Sequence, residues 1–377
     1  MSYILGALKR YNYKHLNIRL IIWVCALTTL GVFVIASATD SDLYEKKQLL
    51  GFILGIIVMV ITALISYQFI LRFYTFFYAI NLILLLAVKI LGANHMGAKR
   101  WIDLGFIQLQ PSEFTKIFLI IFFAAFFEKF SDRINTLPML GSSIGLFVVP
   151  WLLVLSQPDL STSIVIGVLF VSMIYVAGLS YKIIGIALAV TVPVAIIIIY
   201  ILIQPNQSLL EGYQLNRINA WLHPEDARYR ELNRQQDNSV MAVGSGGLWG
   251  KGLNNNTTTS VKNGKYLSEP QTDFIFCIVG EELGFIGTTG VIILLILIVI
   301  ECFYIGGHAP DLAGRIIACG FGFLIATQSF VNIAVVTRVL PNTGLPLPFV
   351  SYGLSSLLSL FLSVGIVLNI ALQRRDS

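Results

Sequence analysis

Residues Tyr213–Leu253 read YQLNRINAWLHPEDARYRELNRQQDNSVMAVGSGGLWGKGL, inside a polar stretch that runs from Gln204 to Phe274. On both sides of it the chain is apolar almost without interruption. A polar stretch of that length between apolar runs belongs to a membrane protein with one large loop. Long connections are usually either functional or disordered. The aromatics Tyr213, Trp221, Tyr229, Trp249 and Tyr266, with the glycine cluster that follows Val243, argue for an ordered, functional loop. It closes on Ser268-Glu269-Pro270-Gln271-Thr272-Asp273-Phe274, where a carboxylate meets the start of an apolar run.

Composition agrees. Of 377 residues, 56% are hydrophobic and 12% charged, about half the charged fraction of a soluble domain. The net charge of +5 is too small and too scattered to indicate a nucleic-acid partner. Cys25, Cys277, Cys302 and Cys319 lie in apolar segments without CxxC spacing and read as small core residues. His15, His95, His223 and His308 are dispersed, with no metal-ligand spacing. The tail is basic and polar as far as Arg19 and then enters a full-length span, so no cleavable signal is evident.

About 20 residues cross a bilayer core. Ten predicted spans follow, over 20–38, 49–66, 73–91, 112–127, 137–157, 160–179, 183–203, 274–303, 314–337 and 348–371. The eighth is overlong and carries Glu281 and Glu282, so its first turns are expected outside the lipid or along a cavity. The expected fold is an all-α polytopic membrane protein, residues 1–377 forming one membrane domain. Helices one to seven fall in 18–203, the large extracytoplasmic loop in 204–273, and helices eight to ten in 274–372. No internal repeat is visible, and Asn254–Ser260 reads as a flexible loop tip.

The positive-inside bias sets the orientation. With cytoplasmic termini, the inner side holds Lys9, Arg10, Lys14, Arg19, Arg72, Lys129, Arg133, Lys182, Arg315, Arg374 and Arg375. The short outer loops hold only Lys46, Lys47, Lys99, Arg100 and Arg338. Both ends are therefore expected in the cytoplasm and the large loop outside.

Ionisable groups at membrane depth are functional candidates. Glu113 and Lys116 lie three apart at the outer start of the fourth span, on one helical face and close enough to pair. Asp159 stands at the outer turn between the fifth and sixth spans, and Asp273 opens the eighth. Each has a plainer alternative. Asp273 and Asp159 are both suited to capping a helix, Glu113–Lys116 to a structural ion pair, and Arg100 to anchoring the neighbouring Trp101. The Ser245–Gly252 run lacks the GxxxxGK[ST] spacing of a phosphate loop and reads better as a turn-rich lipid or substrate platform.

The pieces GAKRWIDLGFIQLQPSEFTKI, QPDLSTS, YQLNRINAWLHPED, SGGLWGKGL, EPQTDFIFCIVGEELGFIG and LPNTGLPLPFVSYGLSSLL follow one another along the chain. In wording and order they resemble the signatures of the SEDS family (shape, elongation, division and sporulation), over about residues 18–372. SGGLWGKGL and the short tails are most similar to the elongation branch, RodA, while EPQTDF is also similar to the sporulation branch. The resemblance implies a ten-helix peptidoglycan glycosyltransferase that polymerises lipid II. It also implies a class B penicillin-binding protein as cross-linking partner, among elongation-complex membrane proteins. By the same resemblance the family's essential aspartate falls on Asp273. Its outer-helix Glu and Lys fall on Glu113 and Lys116, its QPD aspartate on Asp159, and its two arginines on Arg100 and Arg217. Three positions depart from the pattern: Gln271 where many members have His, Leu354 where a Gly is usual, and Arg338 where a small or apolar residue is expected.

In that chemistry a sugar 4-hydroxyl attacks the anomeric carbon of a second lipid-linked sugar and expels pyrophosphate. Asp273 is the expected general base, and bases of this kind contribute about 10²–10⁴-fold. Leaving-group charge calls for a cationic clamp, from Lys116, Arg100 or Arg217, or for a divalent ion such as Mg2+. Asp159 and Glu113 complete the substrate-binding set. The rival from another class is a lipid II flippase. Transporters carry paired repeats and broken helices at the midplane, whereas the polar groups here cluster at one edge.

Overall fold

The computed structural model describes residues 11–39, 41–95, 98–103, 108–157, 159–203, 213–254, 267 and 269–374. Ten long helices stand at the positions of the ten expected spans. They are α1 (Ile18–Ala38), α2 (Asp42–Leu64), α3 (Tyr74–Leu91), α4 (Pro111–Lys129), α5 (Leu137–Leu155), α6 (Leu160–Val176) and α7 (Tyr181–Ile203), then α10 (Ile275–Gly307), α11 (Leu312–Val336) and α12 (Leu354–Leu372). Among the described residues seven of them, α1, α2, α3, α5, α10, α11 and α12, are long and apolar enough to cross a membrane on those grounds alone. Helix α4 is apolar but carries Glu113, Lys116, Glu128 and Lys129, and α6 is short at 17 residues. The tip expected at Asn254–Ser260 lies outside the described residues, apart from Asn254.

The core sits on α11 and α12, whose most apolar windows are 72% and 78% buried. They are enclosed by α2, α4, α6 and α10. Helix α4 is buried over most of its surface between Pro111 and Phe127, as a helix apolar on most sides should be. Peripheral helices turn apolar side chains outward, among them Phe33, Ile83 and Val171, and that surface suits lipid rather than water.

Two parts of the structure were not expected from the sequence. A small antiparallel sheet of order β1-β2-β3 (Ala93–His95, Ala98–Asp103, Gln108–Leu109) stands between α3 and α4. Its register sets Ala93 against Trp101 and Ile102 against Leu109. The large loop is also helical, with α8 (Tyr213–Leu222) and α9 (Arg230–Ser245) joined by a short 3-10 turn. The inward face of α9 is polar: Asn233, Gln236, Asn238, Ser239 and Ala242 are buried. The reason lies at the end of α11, whose last carbonyls have no partner within their own helix. Gln236 Nε2 donates to Val335 O and Leu340 O, both at 2.8 Å, and Ser239 Oγ donates to Val336 O at 2.8 Å. Amide and hydroxyl donors thus replace the apolar stripe by which such a helix usually docks.

Helix α10 breaks at Gly284, whose φ of 66° and ψ of −160° lie outside helical space. The glycine run of the loop fills the break. Lys251 N and Gly252 N donate to Glu281 O and Glu282 O, each at 2.9 Å, while Phe285 N and Ile286 N donate back to Gly247 O and Leu248 O. The backbones approach so closely that a Cβ on Gly284 would strike the Gly250 amide. The backbone of the Ser245–Gly252 run thus braces α10, while Leu248 and Trp249 stay exposed on its outer side. Lys251 Nζ also reaches Glu281 Oε1 at 2.8 Å, which answers one of the two carboxylates inside the eighth span.

Candidate active site

Asp273 stands two residues before α10, and Phe274 holds the N-cap position without a side-chain cap. The carboxylate is not consumed as a helix cap. It is partly buried, and one wall is Gly344, where an added Cβ would lie 3.1 Å from Asp273 Oδ2. Gly344 has a φ of 76°, a conformation that favours glycine. Both the turn and the room for the carboxylate therefore depend on the same missing side chain.

Four charged groups act on this carboxylate. Burial pushes the Asp273 pKa up to about 6, Arg217 and Arg100 pull it down, and Glu269 and Asp159 push it up. Burial also brings Arg217 down to about 10, with Arg100 acting in the same direction and Asp273 against it. Arg217, on α8, donates from Nη1 to Asn342 O at 2.7 Å. Arg100, on β2, donates from Nε to Gln157 O at 3.2 Å. The loop helix and the small sheet thus deliver one arginine each to the mouth of the helix bundle. Burial raises the pKa of Glu269, which accepts from Gln271 Nε2 at 3.0 Å.

The other expected residues lie beneath this cluster. Asp159 is buried and caps α6, accepting from Thr162 N at 3.1 Å. Glu113 and Lys116 are each 1% exposed and paired at 2.8 Å. Protein encloses both side chains. Lys116 Nζ also donates to Gln328 Oε1 at 2.8 Å, and Gln328 Nε2 donates to Pro346 O at 3.0 Å. One turn along α11, Asn332 Nδ2 donates to Leu345 O at 2.6 Å and to Asp273 O at 2.8 Å. A chain of hydrogen bonds therefore runs from the α4 ion pair through α11 to the backbone on both sides of the carboxylate.

The segment between α11 and α12 is fixed at further points. Ser161 Oγ donates to Thr343 O, Ser351 Oγ to Thr272 O at 2.6 Å and Tyr352 N to Gln271 O at 2.9 Å. Gln328, Asn332, Ser161 and Ser351 were not singled out from the sequence. Gln328 and Asn332 did leave a signal, being two amides four residues apart in an apolar span. Arg338 adds less charge to the site than its sequence position implied, because its guanidinium pairs with Asp237 of α9.

Among the described residues no three His, Cys, Asp or Glu side chains converge as a metal cage. Among the described residues, the cations that act on Asp273 are Arg217 and Arg100.

This arrangement has relatives. The family model described as "Cell cycle protein", of FtsW, RodA and SpoVE, matches residues 18–376. The peptidoglycan glycosyltransferase MrdB of Escherichia coli K12 is 35% identical over 370 residues, covering 97% of this chain and 96% of its own. Stage V sporulation protein E of Bacillus subtilis is 34% identical over 372 residues, covering 95% and 98%. Among solved structures, a chain of a peptidoglycan synthase complex superposes with a TM-score of 0.75 at 26% identity, covering 96% of this chain and 97% of that one. The rod shape determining protein RodA of Thermus thermophilus has the same fold, with a TM-score of 0.69 at 24% identity over 97% and 98%. A match over nearly the whole length, on a largely helical membrane bundle, makes this chain a member of the FtsW/RodA/SpoVE family of cell cycle proteins.

Proposed function

We propose that this protein is a peptidoglycan glycosyltransferase that joins lipid II units at the outer face of the cytoplasmic membrane, with Asp273 as its general base. The observation that carries the reading is a carboxylate with its pKa near 6, beside two arginines, at the end of a membrane bundle. A base of that strength is largely ionised at neutral pH, yet takes a proton more readily than an ordinary carboxylate. In the reaction, Asp273 accepts the proton of a sugar 4-hydroxyl as that oxygen bonds to the anomeric carbon of a second lipid-linked sugar. The bond from that carbon to pyrophosphate breaks, and a single displacement inverts the α-linked donor to a β-linkage. Arg217 and Arg100 neutralise the departing pyrophosphate. Building such a polymerase in the membrane lets the polyprenyl tails stay in lipid while the headgroups react.

The termini then lie in the cytoplasm and the loop carrying α8 and α9 outside, by the distribution of Lys and Arg. The cross-linking partner is a class B penicillin-binding protein transpeptidase. The likeness to a chain of a peptidoglycan synthase complex supports that pairing. Elongation is the favoured role, on the relation to MrdB, with division and sporulation as alternatives. Any Mg2+ would arrive with the pyrophosphate itself, and titration with a chelator tests for it.

The reading is tested by incubating purified protein with lipid II, with and without the partner, and resolving glycan strands on a gel. Strands from the wild type and none from Asp273→Asn are expected. Full-length strands from the variant would remove Asp273 from the chemistry. Movement of lipid II between leaflets without strand formation would favour the flippase.

A further inference from the structure

A cavity of about 310 Å³ opens at the end of the bundle away from Asp273. Helix α10 connects the two: Asp273 precedes its first turn, and Glu301, Tyr304 and Ile305 near its other end line the cavity. From Ile275 to Glu301 a helix covers about 40 Å, a full bilayer core away. The remaining walls are the chain entering α1, from Lys14 to Arg19, and the chain leaving α12, at Ala371 and Arg374.

The tail is held against the bundle, so the cavity has built walls. Tyr11 is buried, donates to Leu64 O at 3.1 Å and accepts from Asn369 Nδ2 at 3.0 Å. Asn12 N donates to Leu372 O at 3.0 Å. Asn17 accepts from Leu20 N at 2.9 Å, capping α1, and gives its side-chain amide to Glu301 Oε2 at 2.6 Å.

Lys14, Arg19 and Arg374 face this cavity, with His15 and His308 beside them, and among the described residues Glu301 is the one carboxylate in its walls. Glu301 lies 3.8 Å from Arg19. Tyr304 orders the opposite rim: its hydroxyl accepts from Arg374 Nη1 at 3.1 Å, and its ring lies 4.5 Å from that of His308. Cations gathered in this way repel one another unless an anion joins them. Guanidinium forks and an ammonium around one hollow suit phosphate oxygens. Just beside the cavity, Ile18, Ile22 and Ile300 are exposed on the outer faces of α1 and α10, where acyl chains would lie.

We propose that this cavity binds a phosphate-bearing anion, either the headgroup of an anionic phospholipid in the adjoining leaflet or a free phosphate compound. On the topology proposed above this is the cytoplasmic leaflet, whose negative surface attracts basic clusters at span ends. The binding chemistry itself depends on neither that topology nor glycosyl transfer.

The test uses the full-length protein in detergent, with native mass spectrometry to count bound dioleoyl phosphatidylglycerol, dioleoyl phosphatidylcholine or inorganic phosphate. A lipid site gives retention of phosphatidylglycerol over phosphatidylcholine, reduced tenfold or more by combining Lys14→Gln with Arg374→Gln. Arg374→Lys should keep most of it, and Arg133→Gln, on an exposed turn at the same end of the bundle, all of it. A free-phosphate site gives inorganic phosphate binding with the same dependence on the two variants and no preference between the lipids. The proposal is overturned if neither anion binds above phosphatidylcholine, or if binding ignores Lys14→Gln/Arg374→Gln. Thermal unfolding of each variant shows whether a lost signal reflects lost fold, and Arg374→Lys then carries the test.

Discussion

Removing Arg217 should move the pH at which the enzyme switches on, and in a direction fixed by the structure. Burial holds Asp273 near 6, and Arg217 is the first of the charges that oppose the rise. With a pKa of about 6 the carboxylate is roughly 90% ionised at pH 7 and roughly 10% at pH 5, so the rate should fall about tenfold per unit below the limb. An opposite charge close to a carboxylate typically lowers its pKa by about 1–3 units. Arg217→Gln should therefore shift the acid limb of strand synthesis upward by about one unit or more, from near pH 6 to near neutrality. The assay is initial rate of glycan formation from lipid II between pH 5 and 9, with the position of the limb read separately from its height. Height reports any loss of pyrophosphate binding, whereas position reports the carboxylate. A limb that stays put while the plateau drops would refute the coupling. Stability carries the opposite sign from the usual aspartate. A carboxyl whose folded pKa is raised holds its proton more tightly when folded, so its effect on stability worsens as pH climbs from about 4, the unfolded value, through 6. Asp273→Asn should therefore abolish synthesis without lowering the unfolding temperature at pH 8.

Lys116→Met leaves Glu113 buried without its cation and should cost about 3–5 kcal/mol, read as a large fall in unfolding temperature. Joining it to Glu113→Gln should recover part of that. Asn332→Leu removes two hydrogen bonds to the backbone around Asp273, about 1–3 kcal/mol in all. Its strand synthesis should fall while lipid II affinity holds, a split visible as kcat against KM. Gly344→Ala puts a methyl against Asp273 Oδ2 in a left-handed turn. It should lose at least tenfold in rate for about 1 kcal/mol of stability, and an unchanged rate would show that the carboxylate works from elsewhere.

The helical bundle was legible because the bilayer imposes one strong demand: a long apolar run must satisfy its own backbone as a helix. That demand places the long helices where spans were expected, although α2 starts at Asp42 and α12 at Leu354 rather than at 49 and 348, and i, i+3 spacing gives the Glu113–Lys116 pair. It says nothing about segments outside the lipid. The sheet at Ala93–Leu109 has strands of 3, 6 and 2 residues, too short for period-two alternation to register. Helix α9 hid for another reason. Its buried face is mostly Asn, Gln and Ser, whose amides and hydroxyls bond backbone carbonyls at the end of α11 and in α8.

The same logic explains why the active-site reading needed the structure to sort its residues. Sequence grouped Glu113, Lys116, Asp159 and Asp273 as four polar groups near one membrane face. Burial divides them: Asp273 alone of the four keeps access to solvent, while the other three are enclosed. A buried ion pair is costly to assemble, so its retention needs a reason other than stability, and its bonds supply one. Lys116 fixes the oxygen of Gln328, which leaves the amide free to hold Pro346 O. Asn332 then spans Leu345 and Asp273 directly. Replacing the pair by well-packed apolar residues would leave Gln328 free to flip and release the segment carrying Gly344. On the function proposed above, the charges beneath the site would act by fixing the orientation of one amide, and through it the wall beside Asp273.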